Sequence, residues 1–178
     1  MTVALPQDLL LAVAKPARYV NREWNSVHKD HGQVEVTFVL AFPDLYDIGM
    51  SHLGSHILYH VINSREDALC ERVYAPWVDM EEGMRRRGIP LYALESRRPV
   101  AGFDLVGFSL QYEMTYSNLL NMLELAGIPL LASGRGESHP LVCAGGPCAF
   151  NPEPLADFVD FFVIGEGEEV VGEVIEAV

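Results

Sequence analysis

The sequence has few cysteines and no long hydrophobic run, and each shortage excludes a class of protein. Cys70, Cys143 and Cys148 are the three cysteines among 178 residues, too few for a disulfide framework and compatible with a reducing compartment. No stretch of about 18 apolar residues is present, which is the length that a membrane-spanning helix needs. The short apolar run at 9–14 follows Asp8 and no basic stretch, so a secretory signal peptide is not indicated. We therefore expect a cytoplasmic chain that does not enter a membrane.

Positive charge is also scarce, and it is confined to part of the chain. Lysine and arginine total 12 against 25 aspartate and glutamate residues, which gives a formal net charge of −13. An N-terminal arm carries Lys15, Arg18, Arg22 and Lys29, whereas neither lysine nor arginine follows Arg135. An acidic surface repels phosphate backbones, so we expect this domain not to bind nucleic acid. The acidic end is the usual pattern of a solvated face.

Strands and helices alternate along most of the sequence. Apolar segments at 34–42, 71–74, 104–109, 141–144 and 158–164 predict strands, and helical patterns lie at about 50–63, 77–84, 119–125 and from 168. The length favours one domain. We predict an α/β fold, a doubly wound parallel sheet of the Rossmann-like (flavodoxin-like) type, with an N-terminal arm at 1–33 and the domain proper at 34–178.

Four turns of this predicted sheet are candidates for a ligand site. They are residues 43–49, 109–113, 145–148 and 165–168, which right-handed crossovers would bring to one edge. Structural explanations also exist for them. Gly145 and Gly146 could simply permit an unusual backbone conformation, and Ser109 could cap a helix. Glu166 and Glu168 could be the acidic residues that are favoured near a helix N-terminus.

Metal binding is weakly indicated. His52, His56 and His60 recur every four residues on one helical face, a spacing that could bind a metal but is more often an ordinary helix surface. Cys143 and Cys148 have the wrong spacing for a zinc knuckle, and no Cys-x3-Cys-x2-Cys motif is present. We therefore predict no metal ligand of the protein and no catalytic residue in this chain.

Three of the turns together resemble the motifs of cobalamin-binding domains of the methionine synthase type. That family has Asp-x-His-x-x-Gly, then Ser-x-Leu, then Gly-Gly. This chain has Asp44-Leu45-Tyr46-Asp47-Ile48-Gly49, then Ser109-Leu110, then Gly145-Gly146, in the same order. Tyr46 stands where the cobalt-ligating histidine would be, and a neutral phenol is a poor cobalt ligand compared with imidazole. We therefore expect cobalamin bound base-off and without histidine on cobalt, and the alternative is that His52 ligates cobalt.

Seven further segments carry a closer resemblance that covers nearly the whole chain. They are Lys15-Pro16-Ala17-Arg18-Tyr19, Ala41-Phe42-Pro43-Asp44, Gly49-Met50-Ser51-His52-Leu53-Gly54, Ala75-Pro76-Trp77-Val78-Asp79-Met80, Gly107-Phe108-Ser109-Leu110-Gln111-Tyr112-Glu113, Gly145-Gly146-Pro147-Cys148 and Asn151-Pro152-Glu153-Pro154. Together, and in this order, they resemble an uncharacterised family of B12-binding radical SAM proteins. The resemblance implies that a radical SAM domain follows residue 178 in the full-length protein, where it would hold a [4Fe–4S] cluster and S-adenosylmethionine and would be the partner of this domain. This chain would then be the cobalamin-binding module of a B12-dependent radical SAM enzyme and not catalytic alone.

The resemblance assigns the cofactor contacts to the four turns. Glycines there would let the main chain approach the cofactor closely. The implied contacts are Asp44, Tyr46, Asp47, Gly49, Met50, Ser51, His52, Gly54, Ser109, Leu110, Gln111, Tyr112, Gly145, Gly146, Pro147, Cys148, Gly165 and Glu166.

Two alternatives remain open from the sequence. A flavodoxin-like domain could bind FMN or a nucleotide, although its phosphate would need a first turn rich in Ser, Thr and Gly, and residues 43–49 are acidic instead. A domain without a ligand could pack on its partner domain through the basic arm from Lys15 to Lys29.

Overall fold

The centre of the molecule is a sheet of five parallel strands. The computed structural model describes residues 2–178. The strands are β1 (Val36–Phe42), β2 (Ala68–Tyr74), β3 (Leu105–Ser109), β4 (Leu141–Gly145) and β5 (Phe161–Phe162). Their order in the sheet is β2-β1-β3-β4-β5, and every neighbouring pair is parallel. The predicted Rossmann-like (flavodoxin-like) fold class is confirmed.

Helices cover both faces of this sheet. They are α1 (Gln7–Ala12), α2 (Tyr46–Gly49), α3 (Leu53–Asn63), α4 (Val78–Arg87), α5 (Tyr116–Ala126) and α6 (Gly167–Glu176). Helices α3 and α6 pack on one face, where their side chains share a core with Phe38, Leu105 and Cys143. Helices α1, α4 and α5 cover the other face. Among residues 2–178 no helix is long and apolar enough to span a membrane.

The strand β1 shows why the sheet lies inside the molecule. All seven of its residues are buried, as expected of a parallel strand that is covered by helices on both faces. The edge strand β2 is buried over most of its length although it contains Glu71 and Arg72. The outer edge of β2 is covered by residues 94–96, since Arg72 accepts a backbone hydrogen bond from Leu94 and donates one to the Glu95 carboxylate.

Two elements differ from the sequence prediction. The helix expected from about residue 50 begins at Leu53, because His52 is its N-cap and accepts the Ser55 backbone N–H on Nδ1. The strand expected at 158–164 pairs as a strand only at Phe161–Phe162. Val159 instead ends a tight turn, in which its N–H donates to the Leu155 carbonyl. Its side chain is buried in the core beneath α4 and α5.

The N-terminal segment packs against the domain. Val3, Leu9, Val13 and Tyr19 are buried in the same core as α4 and α5. The contact between α1 and α4 is very close, since a Cβ atom added to Gly83 would lie 2.2 Å from Leu9 Cδ1. Glycine at position 83 therefore sets the distance at which α1 packs.

We predict that Gly83→Leu displaces α1 and lowers the free energy of unfolding by about 1–3 kcal/mol, because the side chain overpacks the α1–α4 contact. Thermal unfolding and limited proteolysis of residues 1–33 measure the two effects. Glu82→Leu is the matched control, since Glu82 is an exposed neighbour on α4. An equal loss of stability in both variants would contradict the prediction.

Candidate functional site

A deep cleft opens at the carboxyl edge of the sheet, between α3 and α6. About 200 Å³ within it is accessible to the centre of a water molecule. Its floor is the sheet face formed by Gly107, Cys143 and Gly145, and its walls include Leu58 of α3 and Val171 of α6. The strand order reverses between β1 and β3, and such a reversal is where doubly wound sheets hold ligands.

Small residues on β3 and β4 make the floor. At Gly107 an added Cβ would lie 2.5 Å from Phe38 Cζ, so glycine lets the Phe38 ring lie across the strand. At Gly145 an added Cβ would meet only the Val163 carbonyl oxygen, at 3.6 Å, and the Val163 Cβ, at 3.7 Å, so this position is open. Burial raises the pKa of the Cys143 thiol to about 12, so the floor is uncharged at neutral pH.

Polar groups stand where the cleft opens. Ser109 is nearly buried, and its Oγ accepts a hydrogen bond of 2.9 Å from Gln111 Nε2. It lies within β3 and does not cap α5, whose N-cap is Thr115. Glu166 and Glu168 also line the cleft, and no lysine or arginine does. The opening therefore carries negative charge and hydrogen-bonding groups.

His52 faces this opening with one ring nitrogen already occupied. Its Nδ1 accepts the backbone N–H of Ser55 at 3.1 Å and lies 2.9 Å from the Ser55 hydroxyl. A neutral imidazole that accepts at Nδ1 carries its proton at Nε2. His52 is thus arranged to donate a hydrogen bond from Nε2, and binding a metal through Nε2 would cost α3 its cap.

The structure brings together residues from three of the four proposed turns with His52 and Gly54, which follow the first turn. The proposed contacts that line the cleft are His52, Gly54, Ser109, Gln111, Gly145, Gly146, Gly165 and Glu166. Four segments remote in sequence therefore form one site.

The first turn, residues 43–49, does not line the cleft, and part of it packs against the N-terminal arm. The Tyr46 hydroxyl donates to Glu23 Oε1 at 2.9 Å, and the Tyr46 ring packs edge-on against Tyr74. Burial and the neighbouring Glu23 raise the pKa of Tyr46 to about 12, so the phenol is protonated at neutral pH. Asp47 forms ion pairs with Lys15 and Arg18. These partners lower the pKa of the Asp47 carboxyl, and the hydrogen bond from Lys15 is the main cause.

Other proposed contacts, at the end of the first turn and just after it, bond to or pack on neighbouring residues of the fold. An added Cβ at Gly49 would lie 2.4 Å from the Tyr74 ring, so this glycine allows the turn to pack on β2. Met50 Sδ accepts a 2.9 Å hydrogen bond from the Tyr74 hydroxyl. The Ser51 hydroxyl donates to the Ile48 carbonyl and is exposed.

The remaining proposed contacts connect or underlie the turns. The Tyr112 hydroxyl donates to the Asp44 carboxylate, which joins the turns after β3 and β1 across the reversal of strand order. Leu110 and Cys148 are buried in the core on the opposite face of the sheet, and the Cys148 N–H donates to the Leu110 carbonyl. Pro147 begins the 3-10 turn that carries Cys148 and does not line the cleft.

Sequence reasoning missed the deep part of the cleft. Gly107 inside a buried apolar strand was the available signal, because a glycine there marks a close approach by another group. The other walls carry no motif, since they are ordinary apolar residues of strands and helices. The lining residues outside the sequence proposal are Phe38, Leu40, Leu58, Gly107, Phe108, Cys143, Ala144, Val163, Gly167, Glu168, Val171 and Val174.

The histidines of α3 do not meet at one point. His56 Nε2 lies 2.7 Å from the Met50 carbonyl oxygen, His52 caps the helix, and His60 is exposed. Within residues 2–178 no three His, Cys, Asp or Glu side chains are placed so that they could hold a metal ion.

A doubly wound parallel sheet of this order defines a Rossmann-like α/β domain. A family model described as "Radical SAM proteins, N-terminal" matches residues 54–178, and the chain belongs to this family. The chain is also similar to the uncharacterized protein MJ0966 of Methanocaldococcus jannaschii, with 25% identity over 139 residues that cover 76% of this chain. The aligned part is 26% of that protein, so this chain matches about a quarter of its length.

Gly146 and Gly145 should respond differently to substitution. Gly146 has φ +97°, and an added Cβ would lie 2.7 Å from the Leu110 carbonyl oxygen, whereas Gly145 has room. We predict that Gly146→Ala lowers the free energy of unfolding by about 1–3 kcal/mol. Gly145→Ala should change it by less than about 1 kcal/mol. Urea unfolding of the pair measures the difference, and equal stabilities would show that residue 146 tolerates a side chain.

Proposed function

We propose that this domain binds cobalamin as the cofactor module of a radical SAM enzyme, with the nucleotide tail in the cleft and the corrin ring over the carboxyl edge of the sheet. The observation that carries the proposal is the deep, uncharged slot over Gly107 and Gly145, which opens beside Ser109. Membership of the radical SAM N-terminal family supports the enzyme context. Bound cobalamin would supply methyl-transfer or radical chemistry at cobalt.

The slot suits a displaced benzimidazole. This base is flat and apolar, and it has one ring nitrogen that accepts a hydrogen bond when it does not bind cobalt. Phe38, Leu58 and Val171 provide apolar walls. Ser109 Oγ accepts from Gln111 and keeps its own proton, which can be donated to the ring nitrogen. His52 Nε2–H is a second donor near the opening, suited to an amide or phosphate oxygen of the tail.

The rim around the cleft suits a broad apolar disc. Large hydrophobic side chains are exposed in or just after the turns that follow the strands at this edge. Leu53 after β1 is 70% exposed, Met114 after β3 is 85% exposed, and Phe150 after β4 is 72% exposed. Ile164 after β5 is 54% exposed. Apolar surface of this kind is typical of a ligand or partner site.

Neither candidate for the lower cobalt position is ready to ligate. Tyr46 is a protonated phenol that is hydrogen-bonded to Glu23, and His52 uses Nδ1 to cap α3. The proposed state is therefore base-off with no histidine on cobalt. Axial ligand identity is a means by which a protein tunes a metal cofactor.

The lining of the cleft disfavours FMN as the ligand, whereas the apolar rim is compatible with a domain that only packs on a partner. A bound FMN would place a phosphate dianion at the opening, where Glu166 and Glu168 stand without a lysine or arginine among the lining residues. The exposed apolar rim, by contrast, would also suit a domain that only packs on a partner. In the proposed enzyme that partner is the radical SAM domain of the full-length protein, which would hold the [4Fe–4S] cluster and S-adenosylmethionine.

We predict that the chain retains hydroxocobalamin in equilibrium dialysis at about 0.1 mM and that Gly145→Leu abolishes retention, because the leucine side chain fills the slot. Gly136→Leu is the matched control, since Gly136 is remote from the cleft and has open space around it. Both variants should unfold with the same cooperativity as the unmodified chain. Retention by a folded Gly145→Leu variant would place the ligand elsewhere, and no retention by the unmodified chain would favour the packing role.

The cobalt environment gives a separate prediction. Electron paramagnetic resonance of bound cob(II)alamin should show no nitrogen superhyperfine splitting, because neither benzimidazole nor imidazole reaches cobalt. The spectrum should be the same in His52→Asn, in which asparagine can still cap α3. Nitrogen splitting that disappears in His52→Asn would identify His52 as the lower ligand.

A further inference from the structure

Gln111 contacts Ser109 at the opening of the cleft. Both residues line the cleft, and Gln111 Nε2 donates a 2.9 Å hydrogen bond to Ser109 Oγ. Side chains of β3 alternate between the two faces of the sheet, and Val106 and Phe108 belong to the core beneath α4 and α5. The alternation places Ser109 on the other face, together with Gly107 of the cleft floor. The Ser109 side chain therefore points toward the slot.

The backbone that carries Gln111 is fixed by the neighbouring strand and the turn after it. The Leu110 N–H donates to the Gly145 carbonyl at 2.8 Å, and the Leu110 carbonyl accepts the Cys148 N–H at 3.2 Å. The amide group of Gln111 lies against Gly146, where an added Cβ would be 3.2 Å from Nε2. The glutamine side chain therefore extends from a turn that is held in place, and the glycine leaves the room that its amide needs.

The hydrogen bond from Gln111 decides how the Ser109 hydroxyl is used. An amide N–H can only donate, so Ser109 Oγ is its acceptor. Among residues 2–178 no acceptor takes the proton of this hydroxyl. Ser109 is 8% exposed and thus presents a hydrogen-bond donor, largely away from bulk water, to the occupant of the slot. A ring with an acceptor nitrogen satisfies this donor, whereas a ring without one leaves it unpaired at a cost.

We propose that Gln111 is a positioning residue that makes the slot selective for cobamides whose lower base has an acceptor nitrogen. Cobamides share the corrin ring of cobalamin and differ in the base of the nucleotide tail. Benzimidazole and purine bases have such a nitrogen, and phenolic bases do not. The inference rests on the proposed cobalamin function and adds the class of tail that the domain selects. Gln111 acts through the direction of the Ser109 proton and does not need to touch the base.

Gln111→Glu tests the proposal, because glutamate has nearly the same shape but accepts where the glutamine amide donates. The carboxylate would take the Ser109 proton and turn a lone pair of the hydroxyl toward the base nitrogen. Anaerobic equilibrium dialysis compares cob(II)alamin with the cob(II) form of p-cresolylcobamide, which lacks the ring nitrogen. The preference for cob(II)alamin should fall by about tenfold or more in this variant. Both ligands carry the same phosphate, so the added charge acts equally on them.

Further variants separate positioning from a structural role. Gln111→Met removes the donor without taking the serine proton, so the preference should fall by about threefold. In a Ser109→Ala background, which has no hydroxyl to orient, Gln111→Glu should leave the preference unchanged. Gln33→Glu is the matched control for charge, since Gln33 is exposed and does not line the cleft. Thermal unfolding shows which variants are folded, and Gln111→Met carries the test if Gln111→Glu does not fold.

The outcomes distinguish this inference from the proposed function. Equal loss of both cobamides in the Gln111 variants, or an unchanged preference in them, would overturn the positioning role and leave the proposed function standing. The same fall in preference with Ser109→Ala present would also overturn it, because Gln111 would then not act through Ser109. Failure of the unmodified chain to retain either cobamide would overturn the proposed function and this inference together.

Discussion

The cleft depends on the absence of side chains at two points in the middle of the sheet. Gly107 leaves the space that the Phe38 ring occupies, and Gly145 leaves the floor open beside Val163. Larger residues at these positions of β3 and β4 would close the gap under α3 and α6. The helices hold their positions because Val171 and Ile175 of α6 pack in the same core as Ile62 of α3. A rigid hydrophobic core thus surrounds a space that the core itself does not fill.

The two sides of α3 have different chemistry. On the side of the cleft the surroundings are apolar and glycine-rich, with Ser109 and His52 as hydrogen-bonding groups and Glu166 and Glu168 as acidic groups at the opening. On the side of β2 a chain of polar contacts runs from Tyr46 through Glu23 and Arg72 to Glu95. This series of contacts includes Tyr46, which stands where the similar cobalamin motif has histidine. The first turn is therefore held against the arm and does not approach the cleft. The arm therefore shapes the turn after β1 as well as covering β2.

Family membership and local structure support the proposed function in different ways. The radical SAM N-terminal family sets the context, and its model covers residues 54–178. The slot and its apolar rim, with exposed Met114 and Phe150, support a large flat cofactor. The acidic residues at the opening, Glu166 and Glu168, are poorly suited to a phosphate dianion. Cobalamin carries a single phosphodiester charge, so these carboxylates oppose it much less.

The sequence by itself determined the fold class and the edge of the sheet at which the cleft opens. Buried apolar strands alternating with helices specify a parallel sheet, and local signals such as Gly127 after α5 specify where helices end, because hydrophobic periodicity and backbone preferences act over short distances. Only the tertiary structure decided which turn residues face the cleft. Tyr46 and Cys148 lie in proposed turns but pack against the arm and in the opposite core, while Phe38, Leu58 and Val171 form the walls without any motif. The reason is that a side chain's surroundings depend on long-range packing, which short sequence patterns do not encode.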